Sequence, residues 1–199
     1  MNNIRETTKN DKAWEKLFDK YNIVSNIEKN GQFVITATQI NEFREARLMT
    51  KFDHRINLPS LFSKNKLSIL PISRGSYIIS KFDAYKDFEE LNGKIFKVSF
   101  PEHIESIDYE NIPSEAMAIN CAYVSNIFAD FTEDYNLLPT VSGRMSSNSF
   151  SFSIKNIESN TDYEIDVFNS QIEIDGGFEG IESLCLVEAK NFLSDDFII

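Results

Sequence analysis

The feature that most constrains the fold of this chain is a pair of segments near its end, residues 171–175 and 183–190. The first segment alternates polar and apolar residues, Gln-Ile-Glu-Ile-Asp, and this period of two predicts a strand with one apolar face. Gly176 and Gly177 follow and supply the backbone freedom that a chain reversal needs. The second segment contains an almost unbroken apolar run at residues 184–187, which predicts a strand buried on both faces. We therefore expect a β-hairpin that turns at the two glycines.

Charged side chains lie where the two predicted strands meet. Asp175 ends the first strand, while Glu188 and Lys190 lie two residues apart and so on one face of the second. A charge at the end of a buried strand is costly unless it is paired or binds a metal. If the arms pair, the three side chains meet at one end of the hairpin and form a site for a divalent cation and a water molecule. The alternative is a polar hairpin with one cross-strand ion pair, which does not explain a third acid, Glu173, beside them.

This pattern resembles the PD-(D/E)XK nuclease superfamily, in which one strand carries an acid and the next carries an acid, any residue and a lysine. Asp175 matches the first acid, Glu188 the second and Lys190 the lysine. Lys190 is the only lysine in the chain with an acid two positions before it. The wider segments, residues 171–179 and 186–191, look like a group of bacterial type II restriction endonucleases within that superfamily. The close resemblance covers roughly residues 144–197, and a looser one extends towards the N-terminus.

The resemblance implies an α+β fold with a restriction-endonuclease-like mixed sheet flanked by helices. It also implies Mg²⁺-dependent, site-specific hydrolysis of phosphodiester bonds in double-stranded DNA. Asp175, Glu188 and the carbonyl oxygen of Ala189 would hold the Mg²⁺ ion together with waters. The metal would lower the pKa of a bound water and stabilise charge on the phosphate. Lys190 would orient or help deprotonate that water and lie against the scissile phosphate.

Three further residues receive supporting roles from the same resemblance. Glu173 would bind the metal or hold Lys190, and Gln171 would position the nucleophile or a phosphate. Some members of the superfamily lend an acid from a helix that precedes the catalytic sheet. Glu115 is the candidate for that role, although its place in the first turn of a predicted helix is also that of a simple capping glutamate.

The predicted domains are residues 1–100 and residues 101–199. The superfamily usually follows its lysine strand with a helix and at least one further strand, whereas nine residues follow Lys190 here. We therefore expect the nuclease core to be incomplete at its C-terminal end. Either the chain is a fragment, or another chain supplies the missing layer. A homodimer is accordingly among the expected assemblies.

The net charge of −11 argues against nucleic acid until it is divided along the chain. Residues 1–100 carry 17 Lys and Arg against 12 Asp and Glu, whereas residues 101–199 carry 3 against 19. Such asymmetry suggests a basic half that meets phosphates and an acidic half that holds cations. The alternative is that the charges merely solvate helix faces. Charge alone leaves both interpretations open.

The most basic stretch, residues 44–81, has a net charge of +6 and lies in an N-terminal region whose predicted elements, from the helix at 10–29 onward, follow the order of a winged helix. Three predicted helical segments precede two apolar strands around Ser73–Ser76, whose tip is basic. In a winged helix, one helix enters the major groove and the hairpin touches the backbone. An ordinary α+β packing domain would show the same order. The predicted DNA-binding residues are Arg44, Arg47, Lys51, Arg55, Lys64, Lys66 and Arg74.

The remaining pattern predicts further elements. An amphipathic helix is expected over residues 10–29, capped by Asn10 or Asp11, and a helix capped by Ser114 is expected to run to about Phe131. The other predictions are strands at 33–35, 94–100, 149–154 and 163–168, helices at about 36–47 and 58–66, and a loop at 138–143.

Several classes of protein are disfavoured by the composition. Two histidines cannot assemble a histidine-based metal site or a catalytic triad. Cys121 and Cys185 lie in apolar surroundings and imply neither a disulfide framework nor a zinc site. Neither a signal peptide nor a membrane span is evident, so we expect a cytoplasmic protein without membrane contact. Two other classes stay open, a non-catalytic DNA-binding regulator and a protein-interaction module.

Overall fold

The computed structural model describes residues 7–88, 95–192 and 194–198 of the chain. The helices are α1 Lys9–Tyr21, α2 Ile23–Asn30, α3 Ala37–Asn41, α4 Ala46–Met49, α5 Ser60–Asn65, α6 Glu115–Val124 and α7 Ile127–Thr132, with one 3₁₀ turn at Arg55–Asn57. The strands are β1 Phe33–Thr36, β2 Ser68–Ser73, β3 Ser76–Ser80, β4 Tyr85–Asp87, β5 Leu138–Ser146, β6 Phe150–Lys155, β7 Asp162–Val167, β8 Gln171–Glu179, β9 Leu184–Val187 and β10 Asp196–Ile198.

The strands form several small sheets, and the predicted α+β class is confirmed. Two sheets have three strands, in the orders β1-β3-β2 and β5-β8-β9, and two are the pairs β4–β10 and β6–β7. The pairs β1–β3, β2–β3, β4–β10, β6–β7 and β8–β9 are antiparallel. In the part of the chain that the structure describes, no helix is long and apolar enough to cross a membrane.

The chain forms two compact units that do not follow a single cut. Unit 1 comprises Met1–Phe88, Ser146–Gln171 and Ser194–Ile199, and unit 2 comprises Glu89–Met145 and Ile172–Leu193. This division differs from the predicted boundary at residue 100.

The cause of the difference is long-range backbone pairing within unit 1. The amide of Phe168 donates to the carbonyl of Ile72 at 3.0 Å, which ties the β6–β7 hairpin to β2. Strand β10, at residues 196–198, pairs with β4, at residues 85–87. Such pairing leaves no local mark in the sequence, because each strand's partner lies far away along the chain.

The predicted helix at residues 10–29 is divided in two. Asn22 adopts left-handed backbone angles between α1 and α2, with φ 47° and ψ 46°, which ends one helix and starts the next. The cap is Thr8 rather than Asn10 or Asp11. The hydroxyl of Thr8 accepts from the amide of Asp11, and the Asp11 carboxylate accepts from the amide of Thr8 at 2.8 Å. This reciprocal capping box satisfies two amides that the first turn leaves without helical partners.

Asp11 also caps a second helix. Its other carboxylate oxygen accepts from the amide of Ser60 at 2.7 Å and from the hydroxyl of Ser60 at 3.1 Å. Ser60 begins α5, whose own N-cap residue, Pro59, has no side-chain hydrogen bond to offer. Asp11 is 3% exposed, and burial raises the pKa of its carboxyl. The hydrogen bonds from Thr8 and Ser60 outweigh burial and lower the pKa to about 2.

The other predicted elements of the N-terminal region are present, and they surround an aromatic core. Thr36 caps α3 through a capping box with Gln39, although the predicted helix to residue 47 is divided into α3 and α4. Strands β2 and β3 form the predicted hairpin, with Gly75 at a positive φ of 94° in its turn. The rings of Trp14 and Phe62, both fully buried, meet edge to face at 4.7 Å in the core of unit 1.

Two other predictions of secondary structure are wrong. Residues 95–100 form no strand, and Lys94 lies outside the described residues. The predicted loop at 138–143 belongs instead to β5. In the structure, β5 is hydrogen-bonded to β8 in a three-stranded sheet. This pairing overrides the turn propensity of the Leu-Pro and Ser-Gly pairs in the sequence.

The structure confirms Ser114 as the N-cap of a helix, but the helix is shorter than predicted. The hydroxyl of Ser114 accepts from the amide of Met117 at 3.3 Å. Asn126, with a left-handed φ of 61°, separates α6 from α7. The core of unit 2 is small, and its buried apolar members are Ile119, Leu137 and Phe178. This core fixes α6 against β8, the strand that carries Asp175.

Candidate active site

The predicted hairpin exists, but its turn lies further along the chain. Strands β8 and β9 pair antiparallel from Gly176 opposite Val187 to Glu179 opposite Leu184. Gly176 and Gly177 therefore lie inside β8, and the chain reverses at residues 180–183. The prediction that the two glycines form the turn is wrong.

Close packing explains why glycines occupy these two strand positions. A Cβ atom on Gly176 would lie 3.1 Å from the Cγ2 atom of Ile119 on α6. A Cβ atom on Gly177 would lie 3.1 Å from the carbonyl oxygen of Val141 on β5. Both distances are tighter than ordinary van der Waals contact. The glycines thus allow β8 to approach a helix and a neighbouring strand closely.

The actual turn is held by an acid that the sequence analysis did not single out. Asp134 Oδ2 accepts from the amide of Ile181 at 2.9 Å and from the hydroxyl of Ser183 at 3.3 Å. A Cβ atom on Gly180 would lie 2.0 Å from the same oxygen, so any side chain there would displace the Asp134 carboxylate. The amide of Asn136 and the turn donors hold the pKa of the Asp134 carboxyl below its usual value.

Asp175 and the Glu188–Lys190 segment lie at the open end of this hairpin. One carboxylate oxygen of Asp175, Oδ2, accepts from the amide of Ala189 at 2.9 Å. Continuing the register by one residue beyond Gly176 and Val187 places Asp175 opposite Glu188. Directly opposed residues of an antiparallel pair share one face. The first acid of the motif therefore lies against the acid-x-lysine tripeptide.

The other two motif residues contact each other. The ammonium group of Lys190 donates to Glu188 Oε1, and the side chains of Lys190 and Glu188 are 21% and 41% exposed. This ion pair joins two residues of one segment, two positions apart. Lys190 is the more sheltered of the two.

The supporting acid Glu173 has a partner on the neighbouring strand. Arg144 on β5 donates from Nε to Glu173 Oε1 at 2.9 Å. The sequence analysis missed Arg144, although it is one of only three basic residues after position 100. This pair adds a guanidinium group to the strand face that carries Asp175.

Gln171 and Glu115, the remaining supporting residues, lie at element ends. Gln171 is the exposed first residue of β8 and belongs to unit 1, where it lines a cavity with Arg74. Glu115 is the half-buried first residue of α6.

An open cavity of about 480 Å³ adjoins the hairpin in unit 2. Asp175 lines it together with its strand neighbours, and the opposite walls come from α6 and β5. The helix contributes Ala116, Ile119, Asn120 and Tyr123 to the cavity wall. A carboxylate on the wall of an open cavity is reachable by a cation and by a substrate.

The donor set of the hairpin fits Mg²⁺ in its chemistry. Asp175 Oδ1 and Glu188 Oε2 have no hydrogen-bond partner among the described residues, and the Ala189 carbonyl lies in the same segment. These are the hard oxygen donors that Mg²⁺ prefers, with several waters retained. Within the described ranges, however, no group of three or more His, Cys, Asp or Glu side chains is placed to hold a metal. The expected convergence of Glu173, Asp175 and Glu188 into one three-acid site is therefore not seen.

The prediction that the second strand is buried on both faces is wrong. Leu184 and Leu186 are each 59% exposed, whereas Cys185 and Val187 pack against the core of unit 2. The reason is that β9 ends the order β5-β8-β9 and has one face on that core. Cys121 and Cys185 are half-buried free thiols.

The predicted DNA-binding residues of unit 1 fall into two groups. Arg55 donates from Nη2 to the carbonyl of Tyr85 at 2.7 Å and pairs with Asp196 at 3.2 Å and with Asp87. Lys66 pairs with Glu158 at 3.2 Å. These two cations are engaged in holding unit 1 together. Asp196 itself is 5% exposed.

The other five basic residues differ in their exposure and in their surroundings. Arg44 is half-buried, and its Nε atom has no hydrogen-bond partner among the described residues. Lys64 is exposed beside Lys66. Arg47 and Arg74 are exposed and line one cavity with Lys51.

Two family matches cover most of the chain. A domain of unknown function, DUF6996, matches residues 11–79, and a second domain of unknown function, DUF6997, matches residues 80–199. The boundary between them falls at the end of β3. No curated protein and no solved structure matches the chain. Because the second match spans more than half of the sequence and includes the whole β8–β9 hairpin, the chain belongs to the DUF6997 family.

Proposed function

We propose that this DUF6997 chain is a Mg²⁺-dependent DNA endonuclease of the restriction type, within the PD-(D/E)XK superfamily. One observation carries the proposal, the contact between Asp175 Oδ2 and the amide of Ala189 at 2.9 Å. This contact brings an acid of β8 against the Glu188-Ala189-Lys190 tripeptide, as the superfamily pattern requires. Asp175 and Glu188 are 13 positions apart in the sequence, so the pairing of the two strands is what brings them together.

The proposed fold follows from the same resemblance. The order of α6, β5, β8 and β9 supports a catalytic sheet of the restriction-endonuclease type preceded by a helix. In unit 1, helices before a hairpin with Arg74 at its tip support a winged-helix-like module, in which the hairpin touches the DNA backbone. Both are finer proposals than the α+β class.

The four motif residues Asp175, Glu188, Ala189 and Lys190 have separate roles in the proposed hydrolysis. Asp175, Glu188 and the Ala189 carbonyl would hold Mg²⁺, which would supply an activated water and stabilise charge on the phosphate oxygens. Glu188 Oε1 anchors the ammonium group of Lys190. Lys190 donates hydrogen bonds from Nζ to the phosphate and orients the attacking water. One phosphorus–oxygen bond forms to that water, one breaks, and the leaving oxygen takes a proton.

The remaining residues position this machinery. Arg144 holds Glu173 through its Nε atom, so Glu173 acts as a positioning residue for the strand face. Glu115 and Gln171 keep the supporting roles that the resemblance gives them, at the start of α6 and of β8. The proposed partner is double-stranded DNA, and a homodimer is the proposed assembly.

A second candidate function is a non-catalytic DNA-binding regulator. The observation that favours it is the self-sufficiency of the hairpin. Asp175 is bonded to the Ala189 amide and Glu188 to Lys190, so each carboxylate has a partner without a metal. In that case the hairpin is scaffold and DNA binding resides in unit 1. A protein-interaction module would need neither metal nor DNA.

Plasmid digestion separates these functions. Supercoiled DNA is incubated with the 199-residue chain, and separately with the product of the whole gene, in Mg²⁺ and in EDTA. We expect nicked and linear products in Mg²⁺ alone. DNA binding without Mg²⁺-dependent cleavage by either protein would favour the regulator, and neither binding nor cleavage would favour the interaction module.

A further inference from the structure

A second cavity, of about 350 Å³, lies in unit 1 beside the β2–β3 hairpin. Its charged lining consists of three cations, Arg47, Lys51 and Arg74. Arg47 and Lys51 come from α4 and the residues after it, and Arg74 from the hairpin turn. Two elements that are not adjacent in sequence therefore aim positive charge at one cavity.

The geometry of the arginines leaves donors for a ligand. Arg47 pairs with Glu45 at 2.6 Å through Nε, and its two Nη atoms remain for other acceptors. Arg74 donates from Nη2 to the hydroxyl of Ser146, which steadies the side chain and leaves its Nε and Nη1 atoms. A guanidinium group binds phosphate oxygens through paired donors. Two such groups and an ammonium group suit a phosphate better than a carboxylate.

The neutral lining has the same character. Ser73, Tyr77, Ser170 and Gln171 contribute hydroxyl and amide groups. Side chains of these types, together with Arg and Lys, make most protein contacts to the DNA backbone. Gly75 of the hairpin turn also lines the cavity.

We propose that this cavity binds a backbone phosphodiester group of double-stranded DNA. The inference deepens the proposed function and rests on DNA being the ligand of the chain. It assigns the phosphate contact to Arg47, Lys51 and Arg74 alone. Arg55 and Lys66, which pair with Asp196 and Glu158, do not line this cavity.

The test measures DNA affinity without cleavage. A short fluorescein-labelled duplex is titrated with the full chain in EDTA, and its anisotropy is followed across a series of salt concentrations. We expect Arg74→Ala and Lys51→Ala each to weaken binding about tenfold and to reduce the slope of log affinity against log salt by about 1, the loss of one phosphate contact. Arg74→Lys keeps the charge and should recover part of the affinity.

Two controls make the same change of charge elsewhere. Lys12 is exposed on α1 and Lys29 on α2, so Lys12→Ala and Lys29→Ala should leave affinity and salt slope almost unchanged. If Arg74→Ala binds like wild type, or if Lys12→Ala weakens binding equally, the cavity is not the phosphate site. Thermal melts of the variants show that each is folded.

Further arms of the titration identify the source of the phosphate. Inorganic phosphate and a mononucleotide, at matched ionic strength, should displace the duplex only weakly. Tight binding of either that is lost in Arg74→Ala, with duplex affinity unchanged, would instead assign the cavity to a free phosphate and overturn the proposal. Tighter binding of a single-stranded RNA of the same sequence would also overturn it.

The cavity and the nuclease fail separately. If Arg74→Ala weakens DNA binding as expected but the wild-type chain does not cleave DNA in Mg²⁺, the nuclease proposal is rejected and the phosphate-site proposal is supported. Cleavage in Mg²⁺ with unchanged affinity in Arg74→Ala would support the nuclease and remove the cavity.

Discussion

One buried carboxylate does more for the N-terminal region than its place in the sequence indicates. Asp11 completes the capping box of α1 and also caps α5 through Ser60, forty-nine positions away. Sequence reasoning identified an N-cap signal but placed it on the wrong residue, because Thr8, Asn10 and Asp11 all belong to types that cap helices. The link to α5 has no sequence signal.

The first prediction concerns Asp11→Ala. Since the folded pKa of Asp11 is about 2, below its ordinary value of 3.8, its stabilisation is fully present above the ordinary value and is lost as pH falls through the folded value. We expect the free energy of unfolding of the variant at neutral pH to be about 2 kcal/mol lower than that of wild type. Urea denaturation at neutral pH and near pH 2 measures both ends of this window.

The matched control is Asp19→Ala, an exposed acid on the same helix. It should unfold close to wild type at either pH. A deficit for Asp11→Ala that stays the same size in acid would mean that lost packing, and not the carboxylate, explains it.

The second prediction separates binding from catalysis at Lys190. Lys190→Ala should abolish Mg²⁺-dependent cleavage while leaving duplex affinity in EDTA nearly intact, because the ammonium group acts on one phosphate and its water. The readouts are plasmid cleavage and fluorescence anisotropy on the same preparations. Parallel loss of affinity and cleavage would instead give Lys190 a general role in binding DNA.

At the scale of elements, the turn of the β8–β9 hairpin depends on a residue outside the hairpin. Asp134 lies outside the hairpin yet accepts from Ile181 and Ser183, while Gly180 leaves room for its carboxylate. The Gly-Gly pair is the stronger local turn signal. It was misleading because these glycines are required for packing against Ile119 and Val141, a property of the folded neighbours.

The third prediction concerns Asp134→Ala. Without the carboxylate, the turn frays, and the amides of β9 should exchange with solvent faster at neutral pH. Since the folded pKa of Asp134 lies below 3.8, the protection that it gives is present above that value and is lost as pH falls further. Hydrogen exchange of residues 184–187 measures the effect.

An acid in the same turn serves as the control for this prediction. Glu182 is exposed, so Glu182→Ala should exchange like wild type. Equal acceleration in the two variants would show that turn charge in general, and not the Asp134 hydrogen bonds, protects β9.

Helix length was the other element-scale difference. The apolar spacing of residues 10–29 and 115–131 is helical, and both segments are helical on either side of one break. Asn22 and Asn126 adopt left-handed angles at the breaks. Asparagine tolerates this region better than most residues, but most asparagines do not adopt it, so the pattern alone could not place the breaks.

At the scale of the whole molecule, the charge asymmetry of the sequence coincides with two candidate sites of opposite character. The acidic hairpin lies in unit 2, and the basic cavity lies in unit 1. The pairing of the two motif strands could be predicted from periodicity, and the α+β class from the resemblance. The composition of unit 1 could not, because β6, β7 and β10 join it through pairing between distant parts of the chain.

The motif was easier to predict than its surroundings. Asp175, Glu188 and Lys190 are identified by spacing, whereas Arg144 and Asp134 depend on contacts across the second unit. Among the seven basic residues predicted to bind DNA, sequence could not separate Arg55 and Lys66 from Arg74. Their ion pairs with Asp196 and Glu158 form only when distant strands come together.

The central claim is that Asp175 and Glu188 act together in metal-dependent DNA cleavage. The most direct measurement is the initial rate of plasmid cleavage in Mg²⁺ for wild type, Asp175→Asn, Glu188→Gln and the control Glu179→Gln, an exposed acid at the other end of the β8–β9 hairpin. Loss of a metal-holding carboxylate removes several kcal/mol of transition-state stabilisation, so we expect Asp175→Asn and Glu188→Gln each to fall about a thousandfold and Glu179→Gln to match wild type. Cleavage by Asp175→Asn at the wild-type rate would contradict the account.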